Sequence, residues 1–242
     1  MIDLDLNTLR MQRVGFASSI NDAIDAGLEN LVEHPRDYLG ASLIGDECLR
    51  RIQFERLAAP AKPISGKLRR IFQRGHAGEA LAVDWLTTAG FVVSRLKPDN
   101  KPLGFSVAQD RFRGHVDGVL KDGPIALEYP CIWECKVLGA KGWGSLVKNG
   151  VAKSHPKYAD QISLYQLYMD LLAPALLTVV NADTMELWHE LVPFDPARAQ
   201  DASDRAVRIL EAMQAGELLP RAADSPNYYP CTFCRFADHC WP

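Results

Sequence analysis

The chain has 242 residues, of which 48% are hydrophobic and 24% are charged. This length is enough for one globular domain with a substantial core, and the composition excludes a wholly disordered chain. The formal net charge is −3, which argues against a protein that binds nucleic acid through its overall charge but allows a local basic groove. We therefore expect a single domain over residues 1–242.

Two features bear on the cellular compartment. No apolar run reaches the roughly 18 residues that a membrane-spanning helix needs. The first residues, MIDLDLNTLRMQ, carry acidic side chains where a secretory signal carries basic ones. We expect a cytoplasmic protein that does not enter the membrane. The six cysteines of such a chain are expected to be thiols or metal ligands rather than disulfides.

Helical periodicity dominates the first part of the chain. Apolar positions at helical spacing predict a surface helix over residues 17–33, which His34 and Pro35 then break. The pattern resumes over residues 41–57 and predicts a second helix, which carries Cys48. A buried structural thiol is the usual role of a cysteine in such a place.

A long helix is predicted over residues 66–90. Its basic side chains share one face, which is either an ordinary solvated surface or a surface for nucleic acid: Lys67, Arg70 and Arg74. His76 and Glu79 follow one turn later. Gly75 and Gly78 lie beside them and allow another backbone or a ligand to approach the helix closely.

Short strands are predicted at residues 91–93 and 105–107, and a hairpin follows over residues 111–137. The sequence Lys-Asp-Gly-Pro at residues 121–124 strongly predicts a turn. This turn folds the second strand of the hairpin back beside the first strand. The turn therefore brings Asp117 on the first strand towards Glu134 on the second.

The second strand carries the candidate catalytic residues. Side chains alternate along a strand, so Glu134 and Lys136 share one face while Cys135 points to the other. Asp117 and Glu134 together form a hard-oxygen site suited to Mg²⁺ or Mn²⁺. Lys136 could orient or help deprotonate an attacking water and neutralise charge on a phosphate. On this pattern alone, a solvated hairpin edge with an ion pair is the alternative interpretation.

The segment over residues 137–159 contains lysines and glycines but no acidic residue. The glycines predict a mobile loop. Its lysines and aromatic side chains suit a phosphate backbone and exposed bases. The candidate residues for binding DNA in this segment are Lys141, Trp143, Lys148 and Lys153, with Tyr158 as a further aromatic side chain.

An amphipathic helix is predicted over residues 158–172, where Gln161 and Tyr165 lie four residues apart on one face. Tyr165 could equally be a core aromatic side chain. A hairpin that turns at residues 181–183 and a helix over residues 196–215 complete the pattern. Strands that alternate with helices in this way predict an α/β domain with a small central mixed sheet flanked by helices.

The last cysteines have C-x2-C-x5-C spacing: Cys231, Cys234 and Cys240. A zinc or iron-sulfur site takes four ligands, and Cys48 is the best candidate for the fourth, with His239 as an alternative. Structural zinc normally takes two C-x2-C pairs, which this sequence lacks, so the spacing favours a 4Fe-4S cluster over zinc. Such a site would tie the last residues to an early helix.

Taken together, these motifs resemble the PD-(D/E)xK nuclease superfamily, specifically the RecB-like exonucleases with an iron-sulfur cluster. That group includes CRISPR-adaptation nucleases, the nuclease domain of AddB and phage exonucleases. Five motifs carry the resemblance in the family's order: the helix motif at residues 75–79, Gly-His-Val-Asp-Gly ending at Gly118, Glu134-Cys135-Lys136, the Q-x-x-x-Y motif from Gln161 to Tyr165, and the split cysteine set.

The resemblance implies a restriction-endonuclease-like core, with residues 38–58 and 226–242 forming an iron-sulfur cap. The metal ligands that it implies are Asp117, Glu134, the backbone carbonyl of Cys135, and either Glu79 or His76. The G-x-x-x-E spacing favours Glu79 of these two. Lys136 would position the attacking water, while Gln161 and Tyr165 would orient DNA or support Lys136.

The expected function is that of a Mg²⁺- or Mn²⁺-dependent exonuclease that hydrolyses phosphodiester bonds at DNA ends or in single strands, in recombination, repair or phage DNA processing. A structure-specific or nicking endonuclease is the alternative enzyme. Two functions without catalysis also fit the motifs, a nucleic-acid-binding iron-sulfur module and a zinc-stabilised regulator. Because the sequence lacks the G-x-x-x-x-G-K-S/T motif, any helicase or recombinase would be a separate partner. Digestion polarity and oligomeric state stay open.

Overall fold

The computed structural model describes residues 6–31 and 36–242. The predicted break at His34 and Pro35 lies outside the described residues. The helices are α1 (Leu6–Glu29), α2 (Leu49–Arg56), α3 (Gly66–Thr88), α4 (Ala140–Asn149), α5 (Val151–Ser154), α6 (Pro156–Met169), α7 (Pro196–Ala215), α8 (Tyr229–Thr232) and α9 (Ala237–Cys240). The strands are β1 (Leu39–Gly40), β2 (Val92–Ser94), β3 (Gly104–Val107), β4 (Phe112–His115), β5 (Gly118–Asp122), β6 (Cys131–Leu138), β7 (Ala175–Asn181) and β8 (Leu187–Val192).

Within the described residues the strands form two sheets. A five-stranded sheet has the order β2-β5-β6-β7-β8, in which β6 and β7 are parallel and the other neighbours are antiparallel. A three-stranded sheet has the order β1-β4-β3. Helices flank the larger sheet, so the predicted α/β class with a small mixed sheet is confirmed. None of the helices in the described part of the chain combines the length and apolarity that a membrane span needs.

The two central strands hold the core. Every residue of β7 is buried, as is each of the first five residues of β6. Trp133 on β6 is fully buried, and its indole Nε1 donates a hydrogen bond of 2.9 Å to Oγ1 of Thr178 on β7. Because a buried indole N–H needs an acceptor, this bond lets a large aromatic side chain fill the layer between α3 and the sheet.

Helix α3 packs closely on β6 at one glycine. A Cβ atom added at Gly78 would lie 2.5 Å from Cγ2 of Val137, which is closer than real carbon atoms approach. The helix therefore lies nearer to the sheet than any other residue at position 78 would allow. This close approach explains Gly78, whereas a Cβ added at Gly75 would meet nothing within 4 Å.

The predicted mobile loop over residues 137–159 is wrong, because the chain forms α4 and α5 there. Leu146 is fully buried in the core, and its burial outweighs the helix-destabilising effect of the internal glycines. Gly139 and Gly150 lie at the two ends of α4, and Gly150 has a φ of +72°, which glycine adopts without strain.

The predicted helix over residues 41–57 is shorter than expected. A 3₁₀ turn occupies Ala41–Leu43, and α2 begins only at Leu49. Cys48 is therefore the N-cap residue of α2 rather than a residue on its face. Gly45 explains the interruption, since its neighbour in space is the backbone of Lys157, and a Cβ at position 45 would lie 2.5 Å from Cα of Lys157.

The two glycines of α3 predict opposite effects on stability. Gly78→Ala forces α3 away from Val137, and we expect the free energy of unfolding to fall by about 1–3 kcal/mol. Gly75→Ala adds a methyl group in open space and should raise the free energy of unfolding by about 0.5–1 kcal/mol through helix propensity. Urea denaturation of both variants measures the contrast, and equal effects would contradict the close packing at Gly78.

Candidate active site

Asp117 lies where the chain passes from one sheet to the other. Strand β4 ends at His115 in the three-stranded sheet, and β5 begins at Gly118 in the five-stranded sheet. This break frees the Asp117 side chain from strand alternation. Its Oδ2 accepts a hydrogen bond of 2.8 Å from the backbone N–H of Cys135 on β6. The predicted first strand of the hairpin, over residues 111–120, is therefore wrong at Asp117, but β5 still pairs with β6 and brings Asp117 beside the centre of β6.

Glu134 and Lys136 share one face of β6, as strand alternation predicts. Nζ of Lys136 forms an ion pair with Oε1 of Glu134. The Glu134 side chain is 1% exposed and the Lys136 side chain is 18% exposed. The pair is therefore almost withdrawn from water, where a carboxylate is costly unless cations and hydrogen bonds surround it.

Helix α6 covers this pair with polar side chains. Nε2 of Gln161 donates one hydrogen bond of 2.9 Å to Oε1 of Glu134 and another of 2.8 Å to the hydroxyl of Tyr165. Gln161 and Tyr165 lie one helical turn apart and are both buried. The amide of Gln161 thus links the carboxylate to a tyrosine that also belongs to the core, while the role of Tyr165 in orienting DNA or supporting Lys136 stays a prediction.

Helix α3 adds Glu79, which is half-buried, while His76 is exposed. Glu79 forms an ion pair with Arg95, and Nε of Arg95 donates a hydrogen bond of 3.1 Å to the backbone oxygen of Asp117. Burial, together with the charge of Asp117, raises the pKa of Glu79. The sequence reasoning missed Arg95, since no local spacing rule connects the residue after β2 with α3.

The carboxylates raise one another's pKa. Burial, and then the charge of Asp117, raises the pKa of Glu134 to about 8. Burial opposes the charge of Lys136, but Glu134 and Asp117 outweigh it, so the pKa of Lys136 is raised and its ammonium stays protonated. Lys136 and Arg95 therefore offset the negative charge of the carboxylates only in part.

One atom of this site lacks a partner. Oε2 of Glu134 is buried and makes no hydrogen bond within the described residues. An orphaned buried carboxylate oxygen beside a second carboxylate suits a hard divalent cation such as Mg²⁺ or Mn²⁺. No group of three His, Cys, Asp or Glu side chains in the described residues is arranged to hold a metal ion. Mg²⁺ usually binds through one or two carboxylates plus waters and substrate phosphates, so the donor set fits it.

The four predicted cluster cysteines line one cavity: Cys48, Cys231, Cys234 and Cys240. They come from the N-cap of α2 and from the last described segment, in and around α8 and α9. Arg50, Arg51 and Arg221 line the same cavity. The imidazole of His239 instead packs edge-on against Phe54 at 4.9 Å between ring centroids. Cys131 and Cys135 are buried on β6, away from this cavity.

The candidate DNA-binding side chains lie on helices. Lys67, Arg70 and Arg74 are exposed on α3, where Arg70 forms an ion pair with Asp25 of α1. The lysines of the next group are also exposed, on α4 and α5: Lys141, Lys148 and Lys153. Trp143 packs against the core. Their contact with DNA stays a prediction.

Comparison with solved structures gives the fold. An alkaline exonuclease from Laribacter hongkongensis, LHK-Exo, superimposes with a TM-score of 0.54 at 16% sequence identity, over 75% of this chain and 90% of that chain. The structure of LHK-Exo in complex with dAMP gives a TM-score of 0.53 at 15% identity, over 74% and 89% of the two chains. The chain therefore has a fold similar to that of an alkaline exonuclease. No family model matches the sequence, and no curated protein does.

The raised pKa of Glu134 predicts a pH dependence of stability in chelator. Because the pKa of Glu134 is raised to about 8 in the folded chain, the folded chain retains part of this proton over a pH range in which the unfolded chain, with the ordinary value of 4.5, has lost it. The folded state thus binds more protons in this window, so the free energy of unfolding falls as the pH rises, by up to about 1.4 kcal/mol per pH unit.

Glu134→Gln removes this titration, and its stability should decline less across the same window. Glu211→Gln, on the exposed side of α7, is the matched control and should follow the unmodified protein. Urea denaturation at intervals across the window measures all three proteins. Parallel curves for Glu134→Gln and the unmodified protein would contradict a raised pKa at Glu134.

Proposed function

We propose that this protein is a metal-dependent deoxyribonuclease that acts as an exonuclease on DNA ends or single strands, in recombination, repair or phage DNA processing. The observation that carries the proposal is the convergence of Asp117, Glu134 and Lys136 on one site, where a buried carboxylate oxygen lacks a partner. The fold similarity to an alkaline exonuclease supports the same reaction class.

In this proposal Mg²⁺ or Mn²⁺ would be held by Asp117, Glu134 and the Cys135 carbonyl, with Glu79 completing the set directly or through water. Glu79 is favoured over His76 because Glu79 is half-buried and lies close enough to Asp117 for their charges to interact. A bound divalent cation would supply charge stabilisation for the phosphate and activate a water. The role of Arg95 is to offset negative charge between Glu79 and Asp117.

Lys136 acts as a cation in this mechanism. Because its pKa is raised, Nζ keeps its proton, so it donates hydrogen bonds to the attacking water or to a phosphate oxygen rather than removing a proton. Gln161 holds the neighbouring carboxylate of Glu134 and is itself fixed by the Tyr165 hydroxyl. These two residues of α6 therefore orient the charged pair against which the phosphate is placed.

DNA is the proposed substrate, and the exposed cations of α3, α4 and α5 are its proposed contacts. Helices α3 and α4 pack against β6, the strand that carries the site, and α5 packs against α4, which suits a phosphate backbone that passes close to the site. A helicase or recombinase is the kind of partner that would deliver DNA ends to a nuclease without a motor of its own.

We propose a structural 4Fe-4S cluster in the cysteine cavity, with zinc as the alternative metal. The four thiols line one cavity, and the sequence lacks the two C-x2-C pairs that structural zinc normally takes. The surrounding arginines suit the negative charge of a thiolate-bound cluster.

The cleavage test uses anaerobically purified protein with end-labelled linear DNA and circular single-stranded DNA, in Mn²⁺, Mg²⁺ or chelator. We expect stepwise loss of the linear substrate only with metal, and no cleavage of the circle. Glu134→Ala and Lys136→Ala should each lower the rate by about 100-fold or more while DNA binding is retained, because charge stabilisation of the reacting phosphate is lost. Glu211→Ala is the control for loss of an exposed carboxylate.

Cleavage that survives Glu134→Ala and Lys136→Ala would refute the assignment. Cleavage of the circular strand would favour an endonuclease with the same metal chemistry. A well-folded protein that binds DNA but cleaves neither substrate would favour a non-catalytic binding module.

The cluster is tested by metal content. We expect Cys48→Ser to lose iron, to lose visible absorbance and to melt at a lower temperature, since one of four ligands is gone. Cys131→Ala is the matched control, because Cys131 is fully buried on β6 outside the cavity and its loss should leave iron bound. Zinc in place of iron, or equal iron in both variants, would contradict the proposal.

A further inference from the structure

The ammonium group of Lys136 contacts an aromatic ring as well as a carboxylate. Nζ lies 5.1 Å from the ring centroid of Tyr158, over its face. Tyr158 lies on α6, one turn before Gln161, and packs against the core. A cation at this distance over an aromatic face is attracted by the electrons of the ring. Tyr158 thus makes a second attractive contact with the lysine that Glu134 pairs.

A second ring fixes the Tyr158 ring. The imidazole of His155 stacks on it at 5.3 Å between centroids, with an angle of 2° between the planes. Nδ1 of His155 lies 2.9 Å from Oγ of Ser154, and that hydroxyl donates to the backbone oxygen of Gly150 at 2.6 Å. The Tyr158 ring is therefore held by a chain of contacts that ends at the backbone of Gly150.

Lys136 contacts Glu134 and Tyr158, and these two side chains differ in which other groups can bind them. Oε1 of Glu134 also accepts from Gln161, and a divalent cation at this carboxylate would compete with Nζ for the same group. The face of Tyr158 has no such competitor, since a divalent cation prefers oxygen ligands. Lysine has a flexible four-carbon stem, so it needs a fixed contact to keep its ammonium in one place.

We propose that Tyr158 is a positioning residue for Lys136, and that its ring holds the ammonium over the site when the contact with Glu134 loosens. This inference rests on the proposed nuclease function. It assigns the ring to Lys136 rather than to stacking on DNA bases, which the sequence pattern had suggested. Positioning Lys136 requires the aromatic ring of Tyr158 but not its hydroxyl.

The kinetic experiment compares Tyr158→Leu with Tyr158→Phe on end-labelled linear DNA in Mn²⁺. Leucine removes the aromatic face but fills similar space, and we expect kcat to fall about tenfold with KM nearly unchanged, as loss of a partly desolvated cation–π contact implies. Phenylalanine keeps the face and should restore kcat to within about threefold of the unmodified protein. A rise in KM alone, or equal loss in both variants, would overturn the inference.

A second measurement does not depend on cleavage. Protons over an aromatic face resonate upfield, so the Hε protons of Lys136, identified by their loss in Lys136→Arg, should be upfield in the unmodified protein and in Tyr158→Phe. They should return to the ordinary lysine position in Tyr158→Leu, while those of exposed Lys141 stay unchanged. Active protein without the upfield shift would overturn this inference alone. Inactive protein with the shift would overturn the proposed function, and with it the positioning role of Tyr158 in the reaction.

Discussion

Glu134 is a carboxylate placed at the centre of the main sheet, 1% exposed and on a strand whose neighbours are core side chains. Burying such a group is costly unless charge and hydrogen bonds surround it. The residues around it act to lower that cost: Lys136 pairs with it, and Gln161 donates to it. The compensation is incomplete, as the raised pKa and the orphaned Oε2 show. The fold around Glu134 thus leaves a buried oxygen that the proposed Mg²⁺ or Mn²⁺ would compensate.

The elements around Glu134 each contribute a side chain to this site. Helix α3 comes close through Gly78 and so brings Glu79 to the edge of the site. The break between β4 and β5 turns Asp117 onto the backbone of β6. Helix α6 supplies three polar or aromatic side chains from consecutive turns, Tyr158, Gln161 and Tyr165. A site assembled from two sheets and two helices is held more rigidly than one built on loops, which suits chemistry that depends on geometry.

Local rules predicted the parts of the site that obey a period. The strand period of two placed Glu134 and Lys136 together, and the helix period placed Gln161 above Tyr165. Contacts between distant segments have no such signal, which is why Arg95 was missed beside Glu79. The helices α4 and α5 were missed for the opposite reason, because glycine content predicts a loop locally while the buried side chain of Leu146 decides the outcome. The local C-x2-C-x5-C spacing grouped the terminal cysteines, whereas Cys48, which lines the same cavity, was added only by counting ligands.

Packing contacts link the cysteine cavity to the candidate active site. Gly45 lies three residues before Cys48, and its neighbour is the backbone of Lys157, the residue before Tyr158. The same early segment is tied to the later chain by Gln53, whose side chain accepts from the backbone N–H of Leu219 at 3.0 Å and donates to the backbone oxygen of Glu217 at 2.5 Å. The proposed cluster at Cys48 would therefore fix the segment on which the first turn of α6 rests. Since that turn carries Tyr158 and precedes Gln161, the cluster would support order at Lys136 and Glu134 without contributing a group to the proposed reaction.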